Sequence, residues 1–404
     1  MGKVLRTSPE RCRSKHALFL VLTLITVFGS LSLRADERDQ AKRIHDRIAG
    51  VPPDDATLTN MASLIAGGDP LNAALVATDN ANFYNVTLKN FAAPWTNRNQ
   101  DVFVPLNDYT ATVIGIVRDD VDFRNILFGD IIYVGVGSGI PAYSNSNNAN
   151  YAALEAQAVD LSDSGKLVQR TQSSVTGIPS NATAGVLTTR AASQAFFING
   201  TNRAMFRFTL MSQLCLDMPQ VEDITRPPDR IRQDVSRSPG GDSRVFLNTC
   251  IGCHSGMDPM AGAFAYYDFQ GTAVGDGTNT GSLQYTPGQV QPKYHINATN
   301  FPQGYNTTDD SWINYWRHGP NQVLGWSPAL PGSGNGAQSL GQELESSTQF
   351  AACQVQKVFQ TVCYRMPDSQ QDLQTVAQMQ SDFVSGGYKI KQMFAEAAVA
   401  CMGQ

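Results

Sequence analysis

Residues 250–254 read Cys-Ile-Gly-Cys-His, the only place in the 404-residue chain where two residues separate a pair of cysteines. This pentapeptide constrains the fold more than any other feature. It fixes two thiols and an imidazole on one short segment, and the rest of the chain has to pack around whatever they hold. Three chemistries use such spacing. In c-type haem attachment the two thiols add across the porphyrin vinyl groups, and the adjacent imidazole binds iron on the proximal face. A structural zinc site needs four ligands, normally from a second closely spaced pair, and the chain has no second CxxC and no HxxxH. A thioredoxin-like dithiol follows a strand in a βαβ setting, whereas the surroundings here read as loop-rich and helical. The expectation is one covalent haem c on Cys250 and Cys253, with His254 as the proximal iron ligand.

The first 35 residues support that reading by a separate route. Lys3, Arg6, Arg11, Arg13 and Lys15 form a basic head, Ala17 to Leu33 is apolar apart from small polar residues, and Ala35 precedes the acidic run Asp36-Glu37-Arg38-Asp39. That order is the layout of a secretory signal cleaved after Ala35. The alternative is an uncleaved anchor, about one turn shorter than the usual span. Attachment of haem to CxxCH takes place outside the cytoplasm, so the expected compartment is a bacterial periplasm or outer surface. Cleavage removes six of 30 basic and one of 35 acidic side chains, leaving 24 against 34, a net charge of −10. An acidic surface disfavours nucleic acid as a partner, and no later apolar run is long enough to cross a bilayer.

Six of the seven cysteines follow the leader, and four of them (Cys215, Cys353, Cys363 and Cys401) lie outside the pentapeptide. An oxidising compartment and an even count predict two disulfides; four buried free thiols are the alternative. Cys353 and Cys363 stand on one expected helix, about 15 Å apart along its axis, well beyond the roughly 4.4–6.8 Å that a disulfide spans. If the terminal helices run up, down and up, Cys363 and Cys401 meet at one end. The expected pairs are then Cys363–Cys401 and Cys215–Cys353.

The fold class is mainly α, with helical domains around a cytochrome c-like haem segment and long irregular loops. Helices are expected over 36–51, 57–65, 83–91 and 109–117, the last two amphipathic and the last entered through Asn107 and Asp108. Two more fall near 184–197 and 202–215. No period-2 run of useful length suggests a strand, and 275–336 reads as mostly irregular. After 337 the apolar stripes Leu344–Val362, Leu373–Phe383 and Ile390–Cys401 predict a three-helix module. The resulting division is a signal over 1–35, an N-terminal helical domain over 36–150, a haem domain with a long insert over 151–336, and the terminal module over 337–404.

Ala184-Gly-Val-Leu-Thr, an Arg-containing helix ending near Cys215, a Pro-rich link, the pentapeptide, Met257-Asp258-Pro259 and Phe264 to Phe269 follow one another in order. Together they resemble the planctomycete-type cytochrome c domain proteins. Gly336, Leu340, Phe350 and Cys353 are similar to the C-terminal companion domain of those proteins. The segment from Arg47 through Pro52-Pro53 to Asp119-Asp120 is more loosely similar to their N-terminal helical domain. The resemblance implies helical domains around one c-type haem, export and no assigned reaction, and it carries the haem residues to Cys250, Cys253 and His254. The stretch from Gly275 to Pro331 has no counterpart in it.

Haem serves three kinds of work: relaying electrons to a redox protein partner, peroxidase- or oxygenase-type chemistry, or holding together a surface redox complex. No Gly-rich phosphate loop, nucleophile elbow or grouped His and carboxylates is present. After the leader only His45, His254, His295 and His318 remain, which leaves little for acid–base work and favours electron transfer. His318, within the cluster Trp312, Tyr315, Trp316 and Trp326, is the candidate for the distal face, ahead of His295 and Met366. Met257 and Met260 lie too close to His254 to reach that face and are expected to fill core.

Overall fold

A computed structural model describes residues 35–198, 200–271 and 280–403; the leader up to residue 34 lies outside the described residues. We number helices of seven residues or more in chain order. The first, α1 (Glu37–Ala49), starts where the Asp36 carboxylate accepts the Asp39 N–H at 2.7 Å and stops at Gly50, whose φ of 72° ends the helical path. Next come α2 (Asp55–Ala66) and α3 (Pro70–Ala77), capped by Asp54 and Asp69. The expected helix over 83–91 is a six-residue π-helical stretch, Phe83–Leu88, running into one α turn, Lys89–Ala92.

Helix α4 (Asp108–Arg118) is buried on every side, so its amphipathic reading is corrected. The polar residues that suggested a wet face are used internally. Thr112 donates to the Asp108 carbonyl, and the Asp108 carboxylate accepts the backbone N–H groups of Arg190 and Ala191 at 2.6 and 3.0 Å. Those two N–H groups open a later helix, so Asp108 caps an element 82 residues away in sequence. The remaining long helices are α5 (Ala149–Ala156), α6 (Arg190–Phe196), α7 (Arg203–Leu214), α8 (Ile251–Ala261), α9 (Gly336–Glu345), α10 (Thr348–Cys363), α11 (Gln370–Ser385) and α12 (Ile390–Ala400).

Three antiparallel ribbons, which the sequence reading did not anticipate, join them. They pair β1 (Ile132–Gly135) with β2 (Leu167–Arg170), β3 (Tyr267–Gly271) with β4 (Gly281–Tyr285), and β5 (Ser311–Ile313) with β6 (Ser333–Asn335). All four residues of β1 are buried, so it shows no alternation, and β5 and β6 are only three residues long. The terminal region holds four long helices, not three. The stripe from Leu344 to Val362 is broken at Ser347, which turns to extended backbone and caps α10 by accepting the Phe350 N–H.

One apolar core takes residues from all three segments, among them Ile48 of α1, Ile114 of α4, Leu210 of α7, Met260 of α8 and Phe394 of α12. Helix α12 packs on α1 and α3, while α7 packs on both α8 and α10. The Phe394 ring stands edge-on to Phe83 and Phe91 at 5.1 and 5.3 Å between centroids. Cys215, in left-handed backbone at the end of α7, is bonded to Cys353 on α10 with 5.3 Å between Cα atoms. Cys363 and Cys401, ending α10 and α12, are bonded with 5.7 Å between theirs. No described helix is long and apolar enough to cross a membrane.

Candidate functional site

The pentapeptide sits on a helix with a distorted entrance. Asp242 caps a short turn, Ser243–Val245, by accepting the Arg244 N–H; a π-helical stretch over Phe246–Cys250 follows and leads directly into α8. Inserted π turns shift the register of a helix and recur at functional sites. Phe246 and Ile251 pack with Ile231 in a small apolar cluster that borders Cys250. This anchors the entrance on one side and leaves Leu247 half exposed on the other.

Within α8, residues four apart share a face. Cys250, His254 and Asp258 follow one another on one side, and Gly252 and Gly256 on the opposite side. The glycines let other chain segments approach closely. A Cβ on Gly252 would touch Glu222 and Ile224, and one on Gly256 would overlap the buried Trp316 indole. Pro259 withholds an N–H from the carbonyl one turn earlier, and the helix tightens to a 3₁₀ turn at Gly262–Phe264.

The two pentapeptide thiols are partly exposed and uncombined, whereas the other four described cysteines are paired. Burial, then the carboxylates of Glu222 and Asp217, push the Cys253 thiol up, with Arg207 opposing. No group of three or more His, Cys, Asp or Glu among the described residues is arranged to hold a metal ion.

His254 keeps 22% of its side-chain surface, and its Nδ1 lies 3.1 Å from Asp258 Oδ1. Asp258 has no exposed side-chain surface. Arg203 of α7 grips both its oxygens, Nε to Oδ1 at 2.6 Å and Nη2 to Oδ2 at 2.8 Å, and also pairs with Asp234. The Arg232 N–H donates to Oδ2 at 3.2 Å, and its guanidinium, buried over the Tyr294 ring, stands 3.7 Å from Oδ1. Burial raises the Asp258 carboxyl, but the charges of Arg203 and Arg232, with hydrogen bonds from Arg203 and His254, hold it well below the usual carboxylate range. Two guanidiniums against two carboxylates balance, so the cluster does not require His254 as a counter-charge.

The other candidates lie apart. His318 is exposed at the end of the 3₁₀ turn Tyr315–Arg317, its N–H on the Tyr315 carbonyl. The next residue, Gly319, rests against Asp223 and Arg226. No described contact joins His318 to Cys250, Cys253 or His254. His295 and Met366 are exposed, while Met257 and Met260 are buried in the main core. Arg203, Arg232, Asp234 and Asp258 were missed as site residues in the sequence. The four-residue step from His254 to Asp258 was the available signal for one of them.

The chemistry of this donor set fits a c-type haem. It offers two uncombined thiols and an imidazole whose Nδ1 is engaged so that Nε2 is left for a metal, with the exposed apolar side chain of Ile224 against Gly252 between the two thiols in the chain. Comparisons with protein-family models, curated proteins and solved structures return no match for this chain.

Proposed function

We propose that the chain is an exported monohaem c-type cytochrome of the planctomycete-type kind that passes electrons to a redox protein partner. The observation that carries the reading is the partition of the cysteines. Four are spent on disulfides, and the two of the CxxCH motif remain as thiols next to an imidazole with one free nitrogen. Cys250 and Cys253 would hold the haem by thioether bonds, and His254 would supply Nε2 to the iron. When bound, haem supplies one-electron exchange.

The protein's own share of that task is to hold the haem on a rigid support. Helix α8 is clamped by Trp316 against Gly256, by the segment around Glu222 against Gly252, and by the Asp258 ion pairs from α7 and the loop after it. A fixed site exchanges electrons with little rearrangement. Two disulfides are compatible with a periplasmic or outer-surface location. The expected result with purified protein is reversible one-electron reduction without appreciable peroxide turnover. Rapid peroxide consumption that disappears on substitution of His318 would replace this reading with a haem enzyme.

A further inference from the structure

The hydrogen bond from His254 to a carboxylate gives the proposed site a property of its own. A histidine that donates Nδ1–H to a neutral backbone carbonyl binds metal as an ordinary imidazole. One that donates to an anion gains basicity at the other nitrogen, because the acceptor draws the proton toward itself. We propose that Asp258 is a positioning residue for the iron ligand. It fixes the His254 tautomer and ring orientation and strengthens Nε2 as a donor, so that the haem is held at a lower reduction potential than a carbonyl-bonded histidine would set. This inference rests on the proposed haem attachment at Cys250 and Cys253.

Three observations carry it. First, Asp258 lies one helical turn after His254 on the same face of α8, with Oδ1 3.1 Å from Nδ1, so the contact is built into a rigid element. Second, the carboxylate cannot swing away. Both oxygens are held by Arg203, and Oδ2 also takes the Arg232 N–H. A carboxylate gripped by two arginines is an acceptor only, so the proton of the His254 contact belongs to Nδ1 and the Nε2 lone pair faces outward. Third, the cluster balances its own charges, with Arg203 and Arg232 against Asp258 and Asp234, so Asp258 stays an anion without a proton from His254 and accepts from a neutral imidazole. A stronger donor stabilises the more positive oxidation state of the iron, which lowers the potential.

The test uses the full-length exported protein. Asp258→Asn keeps the shape and removes the charge. Its expected effects are an about tenfold shift of the oxidised-to-reduced equilibrium toward the reduced form, 59 mV for one electron, and a lower iron–histidine stretching frequency just after photolysis of the carbon monoxide adduct. The stretch separates ligand strength from a through-space charge effect, which would move the potential alone. Asp258→Asn leaves two buried guanidiniums facing a single carboxylate, so a failure to fold is provided for: the wild-type stretch is itself compared with iron(II) porphyrin compounds whose imidazole bonds a carboxylate or an amide. A wild-type value in the carboxylate range supports the assignment, and one in the amide range overturns it. So does a folded Asp258→Asn protein with an unchanged stretch. Protein purified without covalent haem overturns the cytochrome reading along with this inference, whereas haem present with an amide-like stretch overturns this inference alone.

Discussion

A carboxylate with no exposed surface stands at position 258, and burial on that scale is tolerated only where opposite charge meets it. Arg203 and Arg232 meet it, from 55 and 26 residues away in sequence. A second buried carboxylate shows the opposite case. Glu345 ends α9, where burial and then Asp122 outweigh the attraction of Arg124 at 3.5 Å, and its carboxyl is pushed up to about 7. The folded value lies above the unfolded one, so the folded chain holds this proton more tightly. The stabilisation is therefore complete at pH 4 and is lost as pH rises toward 8. Thermal unfolding followed across that window should show the melting temperature falling in the wild type, with a flatter profile in Glu345→Gln; superimposable profiles would contradict the assignment. Cys250, Cys253 and His254 stand out in the sequence as a candidate site because they are neighbours in the chain. The sequence could not reveal the partners of Asp258, which are brought together only by the packing of α7, α8 and the loop between them.

Helix ends were readable where a side chain acts on its own backbone. Asp36 and Asn107 mark their boundaries by the caps they make, whereas the left-handed turn at Gly50 ends α1 ahead of the expected Val51. Ser347 makes the same kind of cap in the middle of an apolar stripe, and the stripe hid it. Helix α4 was misread because its polar residues serve other elements instead of water, which no periodicity reports. The terminal helices do run up, down and up from α10 to α12, which brings Cys363 to Cys401 and leaves Cys215 for Cys353. Peptide mapping without reduction should recover these two pairs. Replacing Cys215 and Cys353 by Ala, which opens a link across 138 residues, should lower unfolding stability by about 2–5 kcal/mol in urea titration, and a loss near zero would deny the link a structural role. Gly256→Ala should cost about 1–3 kcal/mol, because the new methyl has to displace the Trp316 indole. A cost no larger than that of a surface substitution would mean that α8 and Trp316 are not in close contact.

At the scale of the whole molecule, one core and two disulfides draw the N-terminal helices, the segment carrying Cys250 to His254 and the terminal helices into shared packing. Helix α8 lies within that packing with its glycine face inward, and it presents Cys250, Cys253 and His254 at a partly exposed edge. The most direct measurement of what those three residues carry is acid–acetone extraction of the protein purified from an export-competent bacterial host, followed by haem quantification in both fractions. One haem per chain should remain with the polypeptide, and none in protein carrying Cys250→Ala and Cys253→Ala together. Release of all haem into the organic phase, or a wild-type chain with no haem at all, would contradict covalent attachment at these cysteines.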